Sequence, residues 1–77
     1  MKIYGYEKTE DDDPVCIELS EITLSTSPVV LRNIANFLNK AADDIEQLPD
    51  FEHVHLQDDS SVWTDDMPDI VICKNST

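Results

Sequence analysis

The feature that most constrains this sequence is a long amphipathic helix, predicted between Ser27 and Leu48. Ser27 and Pro28 are typical of a helix start, because a serine hydroxyl can cap free backbone N–H groups and proline suits the first helical position. Apolar residues then recur at alternating spacings of three and four, which indicates one apolar stripe. The stripe consists of Leu31, Ile34, Leu38, Ala41, Ile45 and Leu48. Pro49 ends the helix, and the rest of the chain should cover the stripe.

Four segments around this helix are rich in strand-forming residues and are bounded by turn residues. The predicted strands are Met1–Glu7, a second beginning at Val15, Phe51–Gln57 and Asp69–Cys73. In the second strand the apolar positions change parity after Leu19. The strand either carries a β-bulge near Ser20 and Glu21 or breaks there, and we favour the bulge.

The order of these segments predicts an α+β fold in a single domain over residues 1–77. We expect a single four-stranded sheet in ββαββ order with one amphipathic helix packed on one face. The other face must then be solvated, covered by the loop that carries Trp63, or buried against a partner. Trp63 has two interpretations: its loop closes over the sheet, or the indole is an exposed anchor in an interface.

The charge of the chain is its second strong feature. Seventeen acidic and five basic residues give a net charge of −12 in 77 residues. Such a surface repels nucleic acid and anionic lipid, and attracts basic proteins or cations. A single core of this size contributes only about 3–5 kcal/mol to the free energy of unfolding. Even so, acidic residues occupy the last turns of the helix, where the helix dipole makes negative charge destabilising.

These acids favour a role in binding a basic protein surface, with plain solubility as the alternative. In the predicted topology the acidic turn at residues 10–13 and the end of the helix share one end of the molecule, and the loop at residues 58–69 lies at the other. The candidate partner-binding residues are Asp11, Asp12, Asp13, Asp43, Asp44, Asp58, Asp59, Trp63, Asp65 and Asp66.

Other chemistry is weakly indicated. His53 and His55 would share a strand face and are weak candidates for metal ligands, although most such pairs are packing or polar-face residues. No catalytic residue and no cofactor is predicted, and the single glycine excludes a glycine-rich phosphate loop. Cys16 and Cys73 are expected to be reduced and buried, in a soluble protein of the cytoplasm.

Several runs resemble a known family. They are the run from Leu19 to Ser25 leading into Ser27 and Pro28, the run Phe51-Glu52-His53-Val54-His55-Leu56-Gln57-Asp58, and the run from Pro68 to Ile72. From about Val15 onward the chain resembles the small immunity proteins of bacterial polymorphic toxin systems, and is most similar to the immunity protein 32 family. The resemblance implies a cytoplasmic protein without enzymatic activity that binds and neutralises a cognate toxin.

Many such toxins are nucleases, whose basic clefts an acidic domain could block. The resemblance therefore agrees with the charge in pointing to a toxin partner with a basic surface. Two alternatives remain open at this point. One is a small metal-binding domain that uses His53 and His55, and the other is an acidic homodimer joined through the helix-free sheet face or a strand edge.

Overall fold

The computed structural model describes residues 1–10 and 12–74. Its elements in chain order are β1 (Ile3–Tyr6), β2 (Cys16–Leu19), α1 (Pro28–Gln47), β3 (His53–His55), α2 (Leu56–Asp59) and β4 (Val71–Cys73). Within the described residues β1 pairs with β2, and β3 pairs with β4, both antiparallel. The α+β class is therefore right, but the predicted single four-stranded sheet with one helix is wrong. The chain forms two separate two-stranded sheets and a second, one-turn helix.

The long helix has the bounds predicted for it. The Ser27 hydroxyl accepts a hydrogen bond from the Val30 amide at 3.3 Å, and Pro28 occupies the first turn. At the other end the Leu48 amide donates to the Asp44 carbonyl at 2.8 Å before Pro49 stops the helix. The cap and the two prolines thus fix α1 through local interactions that sequence alone discloses.

The core is small and lies between α1, α2 and the β3–β4 hairpin. Its buried members are Ile34, Phe37, Ala41 and Leu56. The side chains packed against this cluster are Val30, Val54, Trp63, Ile70 and Ile72. The predicted stripe is only partly right, because Ile34 and Ala41 are buried while Leu31, Leu38 and Leu48 are exposed. The buried face of α1 is thus rotated toward Phe37, the side on which β3 and β4 supply cover.

In the described residues the β1 and β2 strands pair only with each other. The paired positions include Ile3 with Leu19 and Tyr6 with Cys16. β2 ends at Leu19 instead of continuing through a bulge, and residues 20–27 form no regular element. That irregular stretch separates the hairpin from α1, so half of the expected cover never reaches the helix.

The second hairpin is shorter than predicted at its β3 end. Strand β3 stops at His55 because α2 begins at Leu56, although the Leu56 amide still donates to the Ile70 carbonyl at 2.9 Å. Leu56 is completely buried and so joins the hairpin to the core. Both cysteines are free, as expected, but both are exposed instead of buried. None of the helices described is long and apolar enough to cross a membrane.

Candidate functional site

The predicted acidic residues fall into surface segments with different surroundings. Asp12, Asp13, Asp43, Asp58, Asp65 and Asp66 are exposed, Asp44 is half-buried, and Asp11 lies outside the described residues. The exposed carboxylates among them are accessible to a partner.

Asp59 forms an ion pair within the chain. The Lys40 ammonium contacts the Asp59 carboxylate, and the side chain of Asp59 is 21% exposed. This hydrogen bond, together with the charges of Asp59 and Asp44, raises the pKa of Lys40. Asp59 thus ties α2 to α1, and its charge is largely compensated before any partner arrives.

The loop after α2 is held by its own hydrogen bonds. The Trp63 amide donates to the Ser60 carbonyl at 3.2 Å, and the Met67 amide donates to the Thr64 carbonyl at 3.0 Å. The Thr64 hydroxyl donates to the Asp66 carboxylate, which lowers the pKa of Asp66, with a smaller contribution from a backbone N–H. Successive turns therefore hold the loop in one shape.

Trp63 anchors this loop to the core. Its side chain is half-buried against the cluster of Ile34, Phe37 and Leu56, and its indole N–H donates to the Pro68 carbonyl at 2.9 Å. This is the contact that a loop closing over the core requires. Next to it Val62 is 53% exposed. The loop thus presents Val62 and Asp65 outward while Trp63 points inward, and Asp58 is exposed on the preceding helix α2.

The face of the β3–β4 hairpin that lies away from the core carries the histidines. His53 stands opposite Cys73 and His55 opposite Val71, and directly opposed residues share a sheet face. The rings of His53 and His55 lie 5.2 Å apart, edge to face. Among residues 1–10 and 12–74, no group of three or more His, Cys, Asp or Glu side chains is arranged to hold a metal ion. The histidine pair alone is an incomplete ligand set.

Asp69 is a residue of this face that the sequence analysis did not single out. Its carboxylate accepts hydrogen bonds from His55 Nδ1 at 2.6 Å, from the backbone N–H of Gln57 at 3.1 Å and from the backbone N–H of Ile70 at 2.9 Å. Partial burial raises the pKa of Asp69, but these three hydrogen bonds outweigh that effect and the net pKa is lowered. The signal in the sequence was the Pro-Asp pair at the edge of a strand, where aspartate commonly bonds nearby backbone amides.

A second feature that the sequence analysis missed is exposed apolar surface. On α1, Leu31 and Leu38 are exposed together with Ala35 and Ala42. On the first hairpin, Tyr4, Tyr6 and Ile17 are exposed. The helical periodicity predicted that this face is buried, because all four strands were expected to cover α1.

Comparison with known protein families matches most of the chain to one family model. The family model described as Immunity protein 32 matches residues 21–75, which is well over half of the chain. The matched range contains α1, α2, β3 and β4, and it begins after β2 has ended. No curated protein and no solved structure matches the chain.

Proposed function

The chain belongs to the immunity protein 32 family, and from this membership we propose that it binds and neutralises a cognate bacterial toxin without catalysing a reaction. The match over residues 21–75 is the observation that carries the proposal. Inhibition by binding needs an exposed, well-ordered surface and no reactive group. The loop at residues 58–69 offers such a surface.

The acidic surface is the part that we propose to meet the toxin. A net charge of −12 attracts a basic partner over a distance, raises the association rate and disfavours acidic proteins. We assign the first contact to the exposed carboxylates of Asp12, Asp13, Asp58 and Asp65. Asp59 is excluded from this role because Lys40 already compensates it.

The shape of the loop favours the same assignment. A loop that is already ordered loses little conformational entropy on binding, so more of the contact energy contributes to affinity. The turns around Ser60 and Thr64 and the anchor at Trp63 provide this order. Val62, exposed between the acids, adds apolar contact area at the centre of the charged loop.

A nuclease is the toxin class that this surface fits best. Nuclease clefts carry Lys and Arg side chains that bind phosphate groups, and aspartate carboxylates can occupy the same positions. We further propose that the protein belongs to a polymorphic toxin system. It would act in the cytoplasm, because that compartment contains the nucleic acid that a nuclease cleaves.

The test takes the product of the gene immediately upstream as the candidate toxin. Co-expression should restore growth to cells that make the toxin, and the purified proteins should form a complex whose association slows as salt rises. The double variant Asp58→Asn with Asp65→Asn should lower the association rate constant roughly threefold to tenfold and flatten its salt dependence.

The matched control changes the net charge equally at a different place. Glu18→Gln with Glu46→Gln also removes two negative charges, but from β2 and α1. Equal effects of the two double variants would show that overall charge, and not the loop, guides binding. Toxicity that is unchanged by the wild-type chain would refute neutralisation itself.

A further inference from the structure

The chain exposes much more surface than a folded monomer of its size. Its solvent-accessible area is 6685 Å² at 8.7 kDa, whereas monomers of that mass expose about 4,700 Å². Its radius of gyration is 13.5 Å, against about 11.5 Å for a compact chain of this length. One partner in a standard interface contributes about 800 Å². The excess of roughly 2,000 Å² is therefore enough for more than one interface.

Part of this surface is an apolar stripe along α1, formed by Leu31, Ala35, Leu38 and Ala42. The spacings of four, three and four are those of a helix–helix seam. At its N-terminal end an open apolar groove of about 240 Å³ is lined by Pro28, Leu31, Arg32 and Ala35. No other element lines this groove in the described residues, so it can receive a side chain from a second molecule.

The charges around the stripe favour a second copy as that molecule. Residues 28–42 contain Arg32 and Lys40 and no acid, in a chain that is otherwise strongly acidic. This is therefore a surface on which two copies can meet with little local repulsion. A basic toxin would be attracted more strongly to the acidic loop described above.

The order of residues along the stripe favours an antiparallel arrangement. A two-fold axis between residues 36 and 37 places Leu31 opposite Ala42, and Leu38 opposite Ala35, of the other copy, so each large side chain faces a small one. The same arrangement separates the acidic helix ends at Asp43, Asp44 and Glu46 and places each near the N-terminal half of the partner helix, which carries Arg32 and no acid. A parallel pair would set these acids side by side.

We propose that the protein is a homodimer in which α1 packs antiparallel against α1 of a second copy through Leu31, Ala35, Leu38 and Ala42. The small core of each protomer is thereby supplemented by apolar contacts at the helix, which is a common solution for chains of this size. The β3–β4 hairpin and the loop at residues 58–69 stay outside the contact. The dimer therefore does not depend on the proposed binding of a toxin.

Sedimentation equilibrium with the full chain tests the proposal. At about 100 μM the wild type should sediment at twice 8.7 kDa. Leu38→Glu should raise the dissociation constant roughly 30-fold or more, as expected for a central apolar contact. The control Val29→Glu makes the same type of change at a 67% exposed position on another side of α1, and it should leave the mass unchanged.

Circular dichroism of each variant establishes that the helix is retained. A monomeric wild type at 100 μM, in low and in high salt, would overturn the proposal. So would a dimer that Leu38→Glu does not weaken, or one that Val29→Glu weakens to the same extent.

Cysteine cross-linking tests the direction of the helices. In a background of Cys16→Ser with Cys73→Ser, a mixture of Leu31→Cys and Ala42→Cys chains should form a disulfide-linked heterodimer on mild oxidation. Leu31→Cys alone should stay largely uncross-linked, because a parallel pair is needed to bring position 31 next to itself. Efficient cross-linking of Leu31→Cys alone would refute the antiparallel arrangement.

Salt separates this interface from toxin binding. Two copies of charge −12 repel each other, so raising salt should strengthen the dimer, whereas it should slow association with a basic toxin. The two interfaces can therefore fail independently in experiment.

Discussion

Asp69 shows how a single side chain can connect three segments of a small protein. Its carboxylate accepts hydrogen bonds from the His55 ring and from the backbone N–H groups of Gln57 and Ile70. Because an ionised carboxylate only accepts hydrogen bonds, His55 must carry its proton on Nδ1 in this contact. The contact thereby orients His55 with its Nε2 away from Asp69.

The first prediction concerns the stability that Asp69 supplies. Asp69→Asn should lower the free energy of unfolding by about 1–3 kcal/mol at pH 7, since it removes charge-assisted hydrogen bonds at a partly buried site. The pKa of Asp69 is lowered in the folded state. The stabilising contribution should therefore be complete above the unfolded pKa of about 3.9 and be lost as pH falls through the lower folded value.

Urea unfolding monitored by circular dichroism from pH 7 to pH 3 measures this contribution. The difference between wild type and Asp69→Asn should shrink as the pH falls below about 5. Asp65→Asn is the control, because it removes the same charge from an exposed position in the neighbouring loop. A difference that grows as the pH falls below about 5 would contradict the assignment.

At the scale of single residues, sequence patterns predicted what depends on local chemistry. The cap at Ser27 and the stop at Pro49 depend on neighbours a few positions away, and both are confirmed. The burial of Phe37 and the exposure of Leu31 and Leu38 depend instead on which side of α1 receives cover. The covered side is decided by how distant strands pair, and the hydrophobic periodicity of the helix does not predict that pairing.

At the scale of elements, the two hairpins differ in how they are fixed. The β3–β4 hairpin belongs to the core through Val54, Ile70, Ile72 and the buried Leu56. The β1–β2 hairpin has few contacts with other elements, and its apolar residues Tyr4 and Ile17 are exposed. The sequence suggested four equivalent strands because all four share the same residue preferences, and strand preference says nothing about strand partners.

The second prediction follows from this difference. Deleting residues 1–19 should change the free energy of unfolding by less than about 1 kcal/mol and retain the helical circular dichroism signal, as for other changes outside the core. Leu56→Ala is the comparison, because it removes a completely buried side chain. That substitution should cost about 2–5 kcal/mol.

Thermal and urea unfolding of both variants provide the measurement. If the truncated chain loses as much stability as Leu56→Ala, the first hairpin is part of the core and the division into two sheets has no energetic meaning. If Leu56→Ala has little effect, the core assignment itself is wrong.

At the scale of the whole molecule, charge and shape have opposite effects on the free chain. A net charge of −12 makes two copies repel each other, and repulsion among 17 acids lowers the stability of the compact state. The large apolar surface acts in the other direction by favouring association. The amino-acid composition predicts the charge repulsion directly. The exposed apolar surface follows only from the structure, in which the β1–β2 hairpin does not cover α1.

The third prediction is that added salt stabilises the folded protein. Raising NaCl from about 20 mM to about 500 mM shortens the Debye length severalfold and should raise the free energy of unfolding. Urea unfolding at several NaCl concentrations measures the change. Measuring Leu38→Glu in parallel removes the contribution of the proposed dimer, and a decrease of its stability with salt would contradict the prediction.

The weak attachment of the β1–β2 hairpin has a consequence for how such a protein can change over generations. Residues 20–27 are its link to the rest of the described chain, so the segment before them can be lengthened, replaced or lost without repacking Phe37 or Leu56. Substitutions at the exposed residues Tyr4, Tyr6 or Ile17 should likewise leave the packing of the core unchanged. The molecule thus combines a packed core with a hairpin that can change in sequence or length while that core stays the same.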